Sequence, residues 1–111
     1  MNSVTWETYG LSEANGRCIT DVLSRCCSVR EAILFGSRAK GNYKPGSDID
    51  IAVKGDISKD DLARLLAAFE ETTLPYFVGM VVYGNLKNEA LREHIDRVGK
   101  PLFTARPTPR Q

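Results

Sequence analysis

No apolar run in this 111-residue chain is long enough to cross a bilayer as a helix, so no membrane partner is expected. Cysteine is scarce. Cys18, Cys26 and Cys27 form neither a CxxC pair nor a disulfide framework, which leaves no zinc ribbon and no stapled secreted scaffold. Net charge is nearly absent as well: 15 Lys and Arg against 14 Asp and Glu give +1, whereas a protein that coats nucleic acid through bulk charge carries a strongly basic domain. The single histidine has no Cys or acidic neighbour at a metal-ligand spacing, and the Met1 end lacks a charged segment followed by an apolar core. The expectation is one soluble cytoplasmic domain, and a chain of this size can bury roughly two-thirds of its unfolded surface without staples.

What is present is amphipathic order. Ile19, Val22, Leu23 and Cys26 share a helical stripe after Ser12, a plausible N-cap, with Gly16 weakening the early turns. Ala32 to Phe35 form a short buried strand stopped by Gly36, and Ile49, Ile51 and Val53 alternate with Asp48, Asp50 and Ala52 as a half-buried strand with acids on one face. Ser58 and Asp61 resemble a capping box ahead of Leu62, Leu65, Leu66 and Phe69, predicting a helix over about 59–72. Residues 76–83 read as a third strand. Asn88 caps a last helix with Leu91, Ile95 and Val98 on one face, ended by Gly99 and Pro101. The order predicts a small α/β (α+β) domain over 1–103, with helices packed on one face of a mixed sheet. Residues 104–111, with Arg106 and Arg110, form a mobile tail too sparse to be a nucleic-acid arm.

The chemistry concentrates in 36–50, GSRAKGNYKPGSDID. Gly36 and Ser37 follow a buried strand, so their N–H groups can point outward, and a short helix starting at Ser37 would aim its positive end at an anion. Arg38, Lys40 and Lys44 add positive charge with no acid until Asp48, which suits a nucleoside triphosphate. Asp48 and Asp50, two apart on a strand, leave the same face. Two carboxylates that close raise each other's pKa unless a cation such as Mg²⁺ sits between them, as in metal-assisted phosphoryl or nucleotidyl transfer. Either feature alone is commonplace on a solvated surface; their ordered conjunction on a strand–loop–strand frame is specific. Elsewhere the plainer readings prevail: His94 as a helix-boundary residue, Tyr43 and Lys44 as a mobile loop tip, one of Cys26 and Cys27 packed and the other exposed, and Trp6, Tyr9, Tyr76 and Tyr83 as partly exposed aromatics at a core rim or a partner interface.

The pattern GSxxxGxxxxxSDxD resembles the signature of the polymerase-beta-like nucleotidyltransferase superfamily, and the length and element order resemble its minimal nucleotidyltransferase (MNT) branch. Members of that branch are often paired with a HEPN-domain ribonuclease toxin, and several act as antitoxins that transfer AMP from ATP to it. The resemblance implies that Gly36 and Ser37 hold the nucleotide phosphates with Arg38, Lys40 and Ser47 around them, and that Asp48 and Asp50 bind Mg²⁺ and carry catalysis, Arg38 or Lys40 neutralising charge in the transition state. One position departs from the family. Its third carboxylate comes from the next core strand, and the matching residue here is Gly79, with no acid between Thr72 and Asn88. Two readings therefore stand: a nucleotidyltransferase acting on a HEPN-type partner, and a binding module that neutralises such a partner by contact. In either case a chain this short is expected to borrow its acceptor surface from a homodimer or a hetero-complex.

Overall fold

The structure, a computed structural model, describes residues 5–105. Its sheet contains β1 (Val29–Phe35), β2 (Ile49–Gly55), β3 (Val78–Val82) and β4 (Lys100–Thr104), in the order β3-β2-β1-β4. β1 is antiparallel to both β2 and β4, while β2 and β3 run parallel. The helices are α1 (Glu13–Ser24), α2 (Ser37–Lys40), α3 (Lys59–Glu70) and α4 (Glu89–Val98), with 3₁₀ turns at Trp6–Tyr9 and Tyr83–Asn85. The parallel pair needs a crossover, and α3 supplies it.

The three longer helices, α1, α3 and α4, start where side chains can satisfy their first N–H groups. Ser12 Oγ accepts from the Asn15 N–H at 3.0 Å, and Asn88 Oδ1 accepts from the Leu91 N–H at 3.1 Å. Ser58 and Asp61 cap each other reciprocally, with bonds of 3.0 and 3.1 Å.

Strand alternation then divides the molecule. Leu34, Ile49, Ile51, Val53, Val78, Val82 and Leu102 meet Ile19, Val22 and Leu23 of α1 and Leu65 and Phe69 of α3 in the main core. The alternate residues Ile33, Ala52 and Val81 pack with Leu91 and Ile95 of α4 in a second, smaller cluster. The expectation of helices on one face thus holds for α1 and α3, whereas α4 takes the opposite face, where these side chains would otherwise lie against water. At that face Tyr83 Oη donates to Asp96 Oδ1 at 2.7 Å, and the Lys54 ammonium and Arg92 guanidinium stand 4.6 and 4.9 Å from the Tyr83 ring centroid.

Three sequence expectations are corrected. The segment after Gly99 is β4, paired with β1 in spite of Pro101, because an edge strand can omit a donor. Thr104, expected to open the tail, pairs with Glu31, and the Ala105 N–H donates to the Arg30 carbonyl at 2.8 Å; the rest of the expected tail, 106–111, lies outside the described residues. Trp6, expected to be partly exposed, is buried, with its indole seated on Gly16. Cys26 packs against the core and Cys27 is exposed, as expected.

A Cβ on Gly16 would lie 2.2 Å from the Trp6 ring. Alanine normally gains about 1 kcal/mol over glycine inside a helix. Here Gly16→Ala is expected to destabilise by about 1–2 kcal/mol, because displacing a buried indole outweighs that gain. Trp6 is the sole tryptophan, so urea unfolding followed by its fluorescence reads this directly; an unchanged or higher midpoint would show that the ring relocates without cost.

Candidate active site

β1 ends at Phe35, and the chain turns through Gly36 at φ 79° and ψ −157° into α2, a single helical turn closed by Lys40 N–H to Gly36 carbonyl at 3.1 Å. Phe35 is in register with Asp50, and Asp50 is in register with Gly79. The turn, the carboxylate and the bare glycine therefore stand side by side across three strands, on the face shared with α4. A Cβ on Gly36 would lie 2.5 Å from Asp50 Oδ2, so only glycine, which also tolerates the left-handed φ, lets the turn approach the carboxylate this closely. On the other side a Cβ on Gly79 would stand 3.5 Å from Asp50 Oδ1 and 3.6 Å from the ring of Phe77, an exposed aromatic.

Asp48 is exposed immediately before β2, and Asp50 is half-buried within it. The Asp50 carboxyl is held above the usual carboxylate value by burial first and by the charge of Asp48 second. The nearby His94 acts in the opposite sense and pulls it back. The charge of Asp48 thus reaches Asp50, as their spacing predicts. Two carboxylates two residues apart, one exposed and one half-buried, fit one Mg²⁺, which keeps water or phosphate oxygens for its remaining positions. Among the described residues no group of three or more His, Cys, Asp or Glu is gathered to hold a metal, and Gly79, the position at which the family resemblance implies a third acid, is in register with Asp50.

The remaining site residues separate into two groups. Ser37 is half-buried at the start of α2, and Lys40 is exposed at its end, open to an incoming anion. Arg38, expected beside a nucleotide, is turned inward and is 1% exposed. Its Nε and Nη2 donate to the Ser47 carbonyl at 3.2 and 2.8 Å, and Nη2 also donates to the Pro45 carbonyl at 3.4 Å. Nη1 donates to the carbonyls of Tyr9 at 2.8 Å and Gly10 at 3.4 Å. The guanidinium carbon stands 4.6 Å from the Tyr76 centroid and 5.3 Å from that of Tyr43. With its donors committed to carbonyls, Arg38 fastens the loop instead of contacting a ligand. Ser47 also serves the loop, since its Oγ accepts from the Lys44 N–H at 2.8 Å and closes the turn before Asp48. Tyr43, expected at a mobile tip, is packed on Arg38.

Sequence reasoning missed His94. It projects from α4 so that Nε2 accepts the Gly36 N–H at 3.2 Å, and its ring stands edge-on to Phe35 at a centroid distance of 6.0 Å. The available signal was its position three residues after Leu91, on the flank of the apolar stripe that faces the sheet.

With this geometry established, the similarities to known proteins become specific. A probable protein adenylyltransferase, MntA, of Haemophilus influenzae is 41% identical over 66 residues, 58% of this chain and 57% of that protein. A putative protein adenylyltransferase of Methanocaldococcus jannaschii is 36% identical over 63 residues, 57% of this chain and 58% of that protein. The matches thus span a little under three-fifths of the length of these curated relatives. Among solved structures, a toxin–antitoxin complex with AMP-PNP contains a chain of the same fold, at a TM-score of 0.68 and 24% identity over 82% of this chain and 74% of that one. A complex of a tri-AMPylated Shewanella oneidensis HEPN toxin with an MNT antitoxin contains another, at 0.59 and 22% over 86% and 74%. The family described as polymerase beta, nucleotidyltransferase matches residues 18–108, which include the Gly36 turn, both carboxylates and Gly79, and the chain belongs to that family.

Proposed function

We propose that the protein binds a nucleoside triphosphate, ATP first among them, together with Mg²⁺, and transfers AMP to a partner protein of the HEPN type. The observation that carries this reading is the placement of Asp50 directly beside the Gly36 turn, with Asp48 close enough to raise its pKa. Phosphate-binding backbone and metal-binding carboxylates then share one spot. The N–H and hydroxyl of Ser37, presented by the Gly36 turn, hold phosphate oxygens, Lys40 offsets their charge, and Asp48 and Asp50 hold the metal. Mg²⁺, when bound, supplies electrostatic stabilisation of the oxygens at the reacting phosphorus. The adenylyltransferase names of the two relatives and the AMP-PNP and HEPN toxin complexes among the structural neighbours support the choice of nucleotide and partner.

Gly79 favours a second reading. With hydrogen where a third acid would stand, the chain has no carboxylate there to complete a second metal site or to take a proton from the attacking hydroxyl. An antitoxin that retains nucleotide binding and neutralises its partner by contact is consistent with that arrangement.

Incubation with α-labelled ATP, Mg²⁺ and a HEPN-type partner separates the two. Label on the partner that disappears with Asp48→Asn/Asp50→Asn establishes transfer, whereas a stable complex without label establishes the contact reading. Gly79 has room for a side chain, so Gly79→Asp is expected to raise transfer at least about tenfold, less than the roughly hundredfold or more that a well-positioned base contributes; an unchanged or lower rate would mean that the missing acid is not what limits turnover.

The raised Asp50 pKa also has a consequence for stability. A carboxyl whose folded-state pKa exceeds its unfolded value of 3.8 destabilises the fold as pH rises from that value through the folded one, and the effect is fully present above the folded value. Asp50→Asn is therefore expected to raise the Tm of the ligand-free protein at pH 7, with the difference shrinking toward pH 4. The same change should abolish the Tm increase that Mg²⁺ and ATP give the wild type. A lower Tm for the variant at neutral pH would contradict the first expectation, and a retained ligand-induced increase would contradict the second.

A further inference from the structure

We propose that His94 is the positioning residue of this site, holding the Gly36 N–H through Nε2 and so fixing the turn that faces the nucleotide's phosphates. The purpose of the turn rests on the nucleotide-binding reading above. How the turn is held comes from the fold alone.

Gly36 sits in a left-handed conformation directly over Asp50 and has no side chain of its own to brace it. Glycine has many alternative conformations, so a turn built on it keeps one geometry only if something outside the turn selects it. The Gly36 N–H supplies the point of attachment, and the acceptor comes from a helix 58 residues further along the chain. The imidazole is well fixed. Its ring stands edge-on to Phe35 at an interplanar angle of 82°, and its neighbour Ile95 is buried between Ile33 and Ala52. Asp96 accepts from Tyr83, and Arg92 donates to the Leu86 carbonyl, so α4 is held on both sides of His94. Because Nε2 accepts in this contact, the ring proton is carried by Nδ1. Asp50 is anchored by the sheet, the turn is anchored by α4, and the bond from Gly36 to His94 sets the distance between them.

A purely structural histidine would show itself in stability alone. A positioning histidine also changes the Gly36 amide and the affinity of the turn for phosphate. The test compares wild type, His94→Ala and His94→Gln by calorimetric titration with ATP and Mg²⁺, by Tm, and by the ¹H–¹⁵N signal of Gly36. His94→Ala is expected to weaken ATP binding about tenfold, the upper end of one hydrogen bond's net contribution, and to shift the Gly36 amide upfield with faster exchange. His94→Gln, whose carbonyl oxygen can accept the same N–H, is expected to restore affinity to within about threefold of wild type. Wild-type affinity together with an unmoved Gly36 signal in the alanine variant would overturn the proposal, as would a glutamine variant as weak as alanine. If wild type itself binds no ATP, the nucleotide reading fails, and the Gly36 signal in the alanine variant still decides whether His94 holds the turn.

Discussion

The guanidinium of Arg38 lies inside the protein, its donors on the carbonyls of Tyr9, Gly10, Pro45 and Ser47 and its faces against Tyr43 and Tyr76. Among the described residues no carboxylate comes within ion-pair distance of it. A buried cation without an anion is tolerable only while its donors are satisfied, so each segment that supplies a carbonyl or a ring is bound to the others by the cost of stranding that charge. Those segments are the first 3₁₀ turn, the loop ahead of Asp48 and the approach to β3. Pulling the loop away would expose the cation, the rings and the Trp6 region together. This is why fifteen residues rich in glycine and lysine deliver Asp48 and Asp50 to one place instead of wandering over the surface.

The sheet makes a complementary arrangement. One face is covered by α1 and α3 and is almost wholly apolar, while the other carries α4 over part of its width. Period-two alternation assigns Asp50, Gly79 and Phe35 to the less covered face, and the site lies where the helix cover gives out. Desolvation there is partial. It is enough to raise the Asp50 pKa, yet the carboxylate remains accessible to solutes.

Local signals were legible because they are carried by adjacent residues. The caps at Ser12, Ser58 and Asn88, the β2 alternation and the turn-plus-carboxylate pattern all show in a window of a few residues, and the structure bears out the caps and the alternation. What could not be read depends on partners far along the chain. Arg38 resembles its exposed neighbour Lys40 until Tyr9 and Tyr76 arrive to bury it. Gly16 looks like a weak point in a helix until Trp6 is seen resting on it. β4 was obscured by Pro101, which reads as a stop signal although an edge strand accepts it. His94 lies one step off its helical stripe, and its role depends on an N–H supplied 58 residues earlier.

The inward turn of Arg38 also alters how the loop meets an anion. Its rigid, forked cation is withdrawn from solvent, and the loop's remaining positive charges, Lys40 and Lys44, are exposed. An ammonium on a flexible stem attracts phosphate from a distance without imposing an orientation. The lysines would thus govern how often a polyanion arrives, in a manner that added salt suppresses, while Ser37 at the Gly36 turn would govern how long it stays. On the nucleotide-binding reading, capture and retention would fall to different chemical groups.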